Sequence, residues 1–242
     1  MKIELAKTEI IHFVGIGGIG MSGLSLIMKG KGFKVQGSDL YLNKNIERLK
    51  KEKIKISIGH KKQNINNATI VVVSSAIKKN NPELIQAKKK LLPIYKRGEM
   101  LAHIVSLTKN IVVVGSHGKT TTSSILTHIF SYSNLSFSAF VGGLMLPQKT
   151  NFLSSGFEKT IVEADEYDRS FLNLTPFSAC ITSIDADHLD IYKNHKSIKD
   201  AFIKFSRKVT GNLIIHNSIP FTGITYGVNT NSDYQFTIRN KS

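Results

Sequence analysis

The stretch VVVGSHGKTTTSS, residues 112–124, constrains the fold more than any other part of the chain. Consecutive β-branched valines favour an extended strand, the glycines after them permit a sharp turn, and the lysine and threonines open a helical run. A strand that turns through glycines into a helix aims backbone N–H groups and the positive end of the helix dipole at one point. Such a point attracts phosphate. Gly115, Ser116, His117, Gly118, Lys119, Thr120 and Thr121 therefore form a candidate ATP-binding loop. Lys119 has the reach for the β and γ oxygens, and the Thr120 hydroxyl suits a magnesium ion. The common spacing G-x-x-x-x-G-K-[ST] would need glycine where Val113 stands, so this loop is of a different form.

A second glycine-rich turn, Gly15-Ile-Gly17-Gly18-Ile-Gly20, lies about a hundred residues earlier, between a predicted strand and a predicted helix. Asp39 closes the following strand. Glycines there let the backbone approach a diphosphate, and an acid at that distance accepts a hydroxyl hydrogen bond. The pattern leaves open whether the diphosphate belongs to NAD or to a UDP-sugar.

Around these loops short β-branched runs (IIHFVG, FKVQGSD, TIVVVSSA, LPIYKRG, then FSAFVGG, TIVEADE, ACITSID) alternate with helical patterns at 21–28, 82–90, 119–131 and 198–209. Alternation of this kind predicts an α/β fold with largely parallel sheets joined by right-handed crossovers. Two glycine-loop units predict two nucleotide-handling domains, 1–107 and 108–242. After residue 210 only short strands follow (NLIIHN, GITYG, YQFTIRN), which predicts an incomplete second domain. Two acidic strand ends lie downstream of the ATP loop: Glu163, Asp165, Glu166 and Asp168 in IVEADEYD, and Asp185, Asp187, His188 and Asp190 in SIDADHLD. Carboxylates at the C-terminal ends of parallel strands face the ligand crevice, and a magnesium-bound nucleotide needs one or two oxygen ligands there. The histidine hints at a second metal position. Kinase, ligase and ATPase all remain open on these residues alone.

Composition narrows the field. With 242 residues and 41% hydrophobic residues the chain can bury a core. Its net charge of +16 is spread over scattered lysines without an arginine-rich, aromatic-interleaved stripe, so nucleic acid is not the expected partner. The single cysteine, Cys180, sits in a strand-like run and is expected to pack. No apolar run approaches a membrane span or a signal core, so a cytoplasmic protein without membrane insertion is expected.

At HFVGIGGIGMSGLS, GSDL, GSHGKTTTSS, VEADEYDRSFLNLTP and DADHLDIY the chain resembles the Mur ligases of peptidoglycan synthesis, in order and spacing. The resemblance implies a Rossmann-like first domain that holds a UDP-sugar instead of NAD, and a second that binds ATP with Mg2+ or Mn2+. It implies a ligase that joins L-alanine to the lactyl carboxylate of UDP-N-acetylmuramate through an acyl phosphate. On that reading Lys119 holds the transferring phosphoryl group, Thr120 and Glu163 bind one metal, and His188 binds a second. Gly15, Gly17, Gly18 and Gly20 cradle the UDP diphosphate, with Ser38 and Asp39 near the nucleoside and Gly142 and Gly143 by the muramyl sugar. The family's third domain and its later adenine-side and amino-acid motifs are absent from the sequence, so this chain is expected to be a fragment that does not turn over alone. Competing expectations are a recycling ligase that adds a tripeptide to the same nucleotide, a non-catalytic nucleotide-binding module, and an NAD-dependent dehydrogenase that would leave the G-K-T-T loop unexplained.

Overall fold

The computed structural model describes residues 5–146, 149–164, 170–185, 195–228 and 231–238. The chain divides into two compact units, residues 1–104 and 105–242.

In the first unit, β1 (Ile10–Val14) runs into α1 (Ile19–Gly30), followed by β2 (Lys34–Asp39), α2 (Lys44–Lys51), β3 (Lys55–Ile58), β4 (Ile70–Val73), α3 (Pro82–Lys89), β5 (Ile94–Lys96) and α4 (Arg97–Ser106). The division between units falls inside α4, a few residues before the expected boundary. Helix starts follow local chemistry. Asn43 Oδ1 accepts from Ile46 N at 3.0 Å at the head of α2, and Asn81 Oδ1 accepts from Glu83 N at 2.9 Å ahead of Pro82 in α3. The five strands are all parallel in the order β3-β2-β1-β4-β5, so the direction in which successive strands are added across the sheet reverses between β1 and β4. In open α/β sheets that reversal marks the ligand crevice, and the GIGGIG turn leaves β1 there. Val14, Ile65, Val71, Leu84 and Ala87 form one core cluster.

The second unit contains β6 (Lys109–Val114), α5 (Lys119–Ser131), β7 (Phe137–Met145), β8 (Thr150–Ser154), β9 (Lys159–Glu163), β10 (Ser178–Ile181), α6 (His195–Ser206), β11 (Leu213–His216), β12 (Ile224–Val228) and β13 (Tyr234–Phe236). Its eight strands lie in the order β13-β12-β11-β10-β6-β9-β7-β8, parallel except for the β7–β8 hairpin. The mostly parallel α/β architecture read from the sequence is therefore the one observed. Phe171, Phe202 and Phe205 bury fully, and Phe171 meets both partners at 5.3 Å between ring centroids. Residues 217–223 carry β11 into β12 without a helix, as the weak pattern after residue 210 suggested. The sequence reading missed α2, β3, α4 and β8. The polar α2, KNIERLKK, buries only Ile46 and Leu49, too few apolar residues to give a strong periodic signal. The helix expected at 198–209 lies a few residues earlier, at His195–Ser206.

Cys180 sits in β10 beside Tyr226. Burial pushes its thiol up to about 11, with a hydrogen bond from Tyr226 pulling the other way. A thiol with a raised pKa stays protonated, and therefore unreactive, until pH approaches that value. Native protein at pH 8 should react with iodoacetamide about 100-fold more slowly than a free thiol of pKa about 8.5, with normal reactivity regained in urea. Mass spectrometry over time measures this directly.

Candidate functional site

β6 lies between β9 and β10, with Val113 opposite Glu163 and Val114 opposite Ile181. Because the three strands are parallel, the loop leaving β6 emerges beside Glu163 at the end of β9 and the segment that follows β10 as far as Asp185. Gly118, the residue before α5, has φ of 78°, a left-handed conformation that glycine takes without a Cβ penalty. The turn it makes aims the first amides of α5 outward, where they have no acceptor within the helix. The loop is tied to the segment after β10: Ser116 N donates to Ser183 O at 3.1 Å, His117 N to Ser183 Oγ at 2.9 Å, and Asp185 N to Ser116 Oγ at 2.9 Å. Lys119 folds back, its ammonium donating to Gly115 O at 2.7 Å.

Thr120 Oγ1 donates to Glu163 Oε1 at 2.6 Å, and Gly142 N donates to Oε2 at 2.6 Å, with Ser123 Oγ 3.1 Å from the same oxygen. The hydroxyl and the carboxylate thus meet across two elements. Oxygen ligands on neighbouring positions of an octahedral magnesium ion, with bonds of about 2.0–2.1 Å, stand about 3 Å apart. The Thr120 hydroxyl and the Glu163 carboxylate are the groups that would hold such an ion. Among the described residues no group of three or more His, Cys, Asp and Glu gathers. His188 lies outside the described residues, as do Asp165, Glu166, Asp168, Asp187 and Asp190. His117 is exposed, its Nε2 3.7 Å from Asp185 Oδ2. A pocket of about 390 Å3, lined by Thr182, Ser183, Asp185, Lys199, His216 and Ser218, opens beside the loop at the ends of β10 and β11.

In the first unit, Gly15 N and Ile16 N both donate to Ser38 O at 2.9 Å, and Gly17 N donates to Asp39 Oδ2 at 2.8 Å. Gly18 starts α1 with no side-chain cap, so the turn and the helix dipole are presented together. Asp39 therefore braces the loop itself. Ser38 is fully buried and its hydroxyl donates to Glu83, so it serves the loop through its carbonyl and its side chain does not reach the surface. Arg97 packs against Gly20, a cation at the loop that sequence reading missed. Gly142 and Gly143 lie against Glu163 and Thr120: a Cβ on Gly142 would come within 2.6 Å of Glu163 Oε1, and one on Gly143 within 2.9 Å of Thr120 Cγ2. Ser123 and Ser183 were also missed. Ser123 stands one helical turn after Thr120, so the phase of α5 could have revealed it, whereas Ser183 carries no local signal.

Two glycine turns, each at the carboxyl edge of a parallel sheet and one backed by lysine, threonine and a strand-end glutamate, place the chain among α/β proteins with a P-loop type of turn. Residues 10–109 match "Mur ligase family, catalytic domain" and residues 113–240 match "Mur ligase middle domain". The chain belongs to the Mur ligase family. It is 64% identical over 209 residues to a UDP-N-acetylmuramate--L-alanine ligase of Pelagibacter ubique, covering 86% of this chain and 45% of that protein. A ligase of the same name from Aquifex aeolicus is 45% identical, covering 90% of this chain and 46% of the relative. The chain spans about half the length of these curated relatives. Among solved structures, the UDP-N-acetylmuramate-alanine ligase MurC of Thermotoga maritima superposes with a TM-score of 0.78 at 29% identity, over 92% of this chain and 53% of its own. The UDP-N-acetylmuramate:L-alanyl-gamma-D-glutamyl-meso-diaminopimelate ligase of Neisseria meningitides gives 0.73 at 26%, over 87% and 72%. Among the described residues no helix is long and apolar enough to cross a membrane.

The close approach at Gly142 yields a test. Gly142→Ala must push the Glu163 carboxylate off Thr120, and magnesium-dependent ATP binding should weaken by about 10-fold or more, since a displaced ligand costs at least one charge-assisted bond. Calorimetry with and without magnesium measures the change.

Proposed function

We propose that this chain carries the UDP-sugar and ATP sites of a ligase that joins L-alanine to the lactyl carboxylate of UDP-N-acetylmuramate in the cytoplasm. The observation that carries the reading is the Thr120–Glu163 contact at 2.6 Å beside Lys119, a lysine-hydroxyl-carboxylate set suited to a magnesium-bound triphosphate. Identity of 64% to a ligase of that name supports the choice of substrates. In the reaction the lactyl carboxylate takes the γ-phosphoryl group and ADP leaves. The L-alanine amine then attacks the acyl carbon and phosphate leaves. Lys119 would turn from Gly115 O to the γ-phosphoryl oxygens and offset their charge. Thr120 and Glu163 would hold the magnesium ion, which supplies further charge neutralisation when bound. His188 is the candidate for a second ion. The first glycine loop, with Arg97 beside it, would take the UDP diphosphate.

Lys119→Ala should lower affinity for magnesium-ATP by about 100-fold and leave the far-ultraviolet dichroism unchanged, because a half-buried point charge is lost while the backbone ties of the loop remain. Binding equal to wild type, measured by calorimetry, would reject the role. Substrate choice is tested in a chimera that joins this chain to the remaining sequence of the Pelagibacter ubique relative. Coupled ADP release should depend on UDP-N-acetylmuramate and L-alanine. Release with the L-alanyl-γ-D-glutamyl-diaminopimelate tripeptide in place of L-alanine would favour the recycling reading, and binding of both nucleotides without release would favour a non-catalytic module.

A further inference from the structure

Beneath the first glycine loop lies a polar cluster that the phosphate sites do not use. Glu83, at the start of α3, is fully buried. Its Oε2 accepts from Ser38 Oγ at 2.6 Å and faces His12 Nε2 at 3.3 Å, while Oε1 accepts from Asn64 Nδ2 and from Lys61 N at 3.3 Å. Gln36 Nε2 lies 3.3 Å from His12 Nδ1 and donates there, which leaves the His12 proton on Nε2, directed at Glu83. His60 Nδ1 stands 3.0 Å from Ser38 Oγ, whose proton is already given to Glu83, and 3.4 Å from Glu83 Oε2, so a proton on Nδ1 faces both the hydroxyl and the carboxylate. Every neighbour of the two carboxylate oxygens is thus a donor, and only an ionised carboxyl can accept from all of them. Burial alone pushes the Glu83 carboxyl up, but hydrogen bonds from His12, Ser38 and Asn64 outweigh it and hold the group below its usual range.

The path from this cluster to the surface is a single residue long. Ser38 gives its hydroxyl to Glu83 and its carbonyl to Gly15 N and Ile16 N, each at 2.9 Å. We propose that Glu83 is a positioning residue for the first glycine loop: acting through Ser38, its carboxylate fixes the turn at Gly15 and Ile16 that leads into α1, whose first-turn amides are presented to a nucleoside diphosphate. The proposal rests on the reading of that loop as a diphosphate site.

Glutamine at position 83 keeps the volume and supplies one acceptor where two are needed, so it must face either Ser38 or the Asn64–Lys61 pair with a donor. Ser38→Ala cuts the link and leaves Glu83 its other partners. Calorimetry with UDP should give about 10-fold weaker binding in Glu83→Gln and a smaller loss in Ser38→Ala. Amide hydrogen exchange in the absence of ligand should quicken at Gly15 and Ile16 in both variants and stay unchanged at Val71 and Val72. The double variant should lose no more than Glu83→Gln alone, since both act through one path. Wild-type exchange at Gly15 and Ile16 with wild-type UDP affinity, or additive losses in the double variant, would overturn the proposal. Should Glu83→Gln not fold, Ser38→Ala decides by the same two readings. A wild-type chain that ignores UDP would reject the diphosphate reading, while the exchange at Gly15 and Ile16 would still decide whether Glu83 holds the turn.

Discussion

The contact between Thr120 and Glu163 exists because β6 and β9 are register neighbours, Val113 standing opposite Glu163. Neither residue is near the other in sequence, and neither could hold a cation alone. A parallel pairing brings the first turn of α5 over the end of β9, and the β7 backbone then closes the far side of the carboxylate through Gly142 N. The strand order therefore does the chemical assembly: with β6 placed between β9 and β10, one loop is served by two strand ends at once. A different order of the same strands would scatter the same residues along the sheet edge.

The first unit solves a similar problem by another route. Its glycine turn has no lysine or threonine of its own, and its shape is set from behind by Ser38 and Asp39 at the end of β2. Burying Glu83 to support Ser38 would be costly for an unpaired carboxylate, and the donors from His12, Asn64 and Lys61 are what make it tolerable. The two loops thus differ in what determines them. The lysine-bearing loop is shaped by contacts to the neighbouring strand ends, the other by a polar cluster inside its own unit.

Much of this was legible in the sequence because strand-glycine-helix junctions are local. Valine runs, glycine turns and the G-K-T-T sequence each mark a short stretch, and a parallel α/β fold follows from their alternation. The acidic end of β9 was legible for the same reason, since TIVE breaks from apolar to acidic within one strand. What escaped was lateral. That Gly142 meets Glu163, or that Arg97 meets Gly20, depends on which strands and helices lie side by side, and residue spacing carries no such information. His12 offered a partial signal, a histidine inside the apolar run IIHFV, but its partner Glu83 stands 71 residues away and shows no mark of burial in NPELIQ.

The placement of Lys119 bears on how its loop would respond to phosphate. Its ammonium rests on Gly115 O, an internal carbonyl that takes the place of an anion. That contact keeps the loop closed on itself and the half-buried charge solvated by the backbone. A phosphate oxygen offers the same ammonium an ionised acceptor, and charge-assisted bonds are about twice as strong as bonds to neutral groups. The exchange favours phosphate without requiring the loop to reform, because the turn at Gly118 and the ties from Ser116 and His117 to the β10 segment do not involve the lysine side chain. Phosphate binding would then call for rotation of the lysine side chain away from Gly115 O and Ser116 O, with the Gly118 turn already formed.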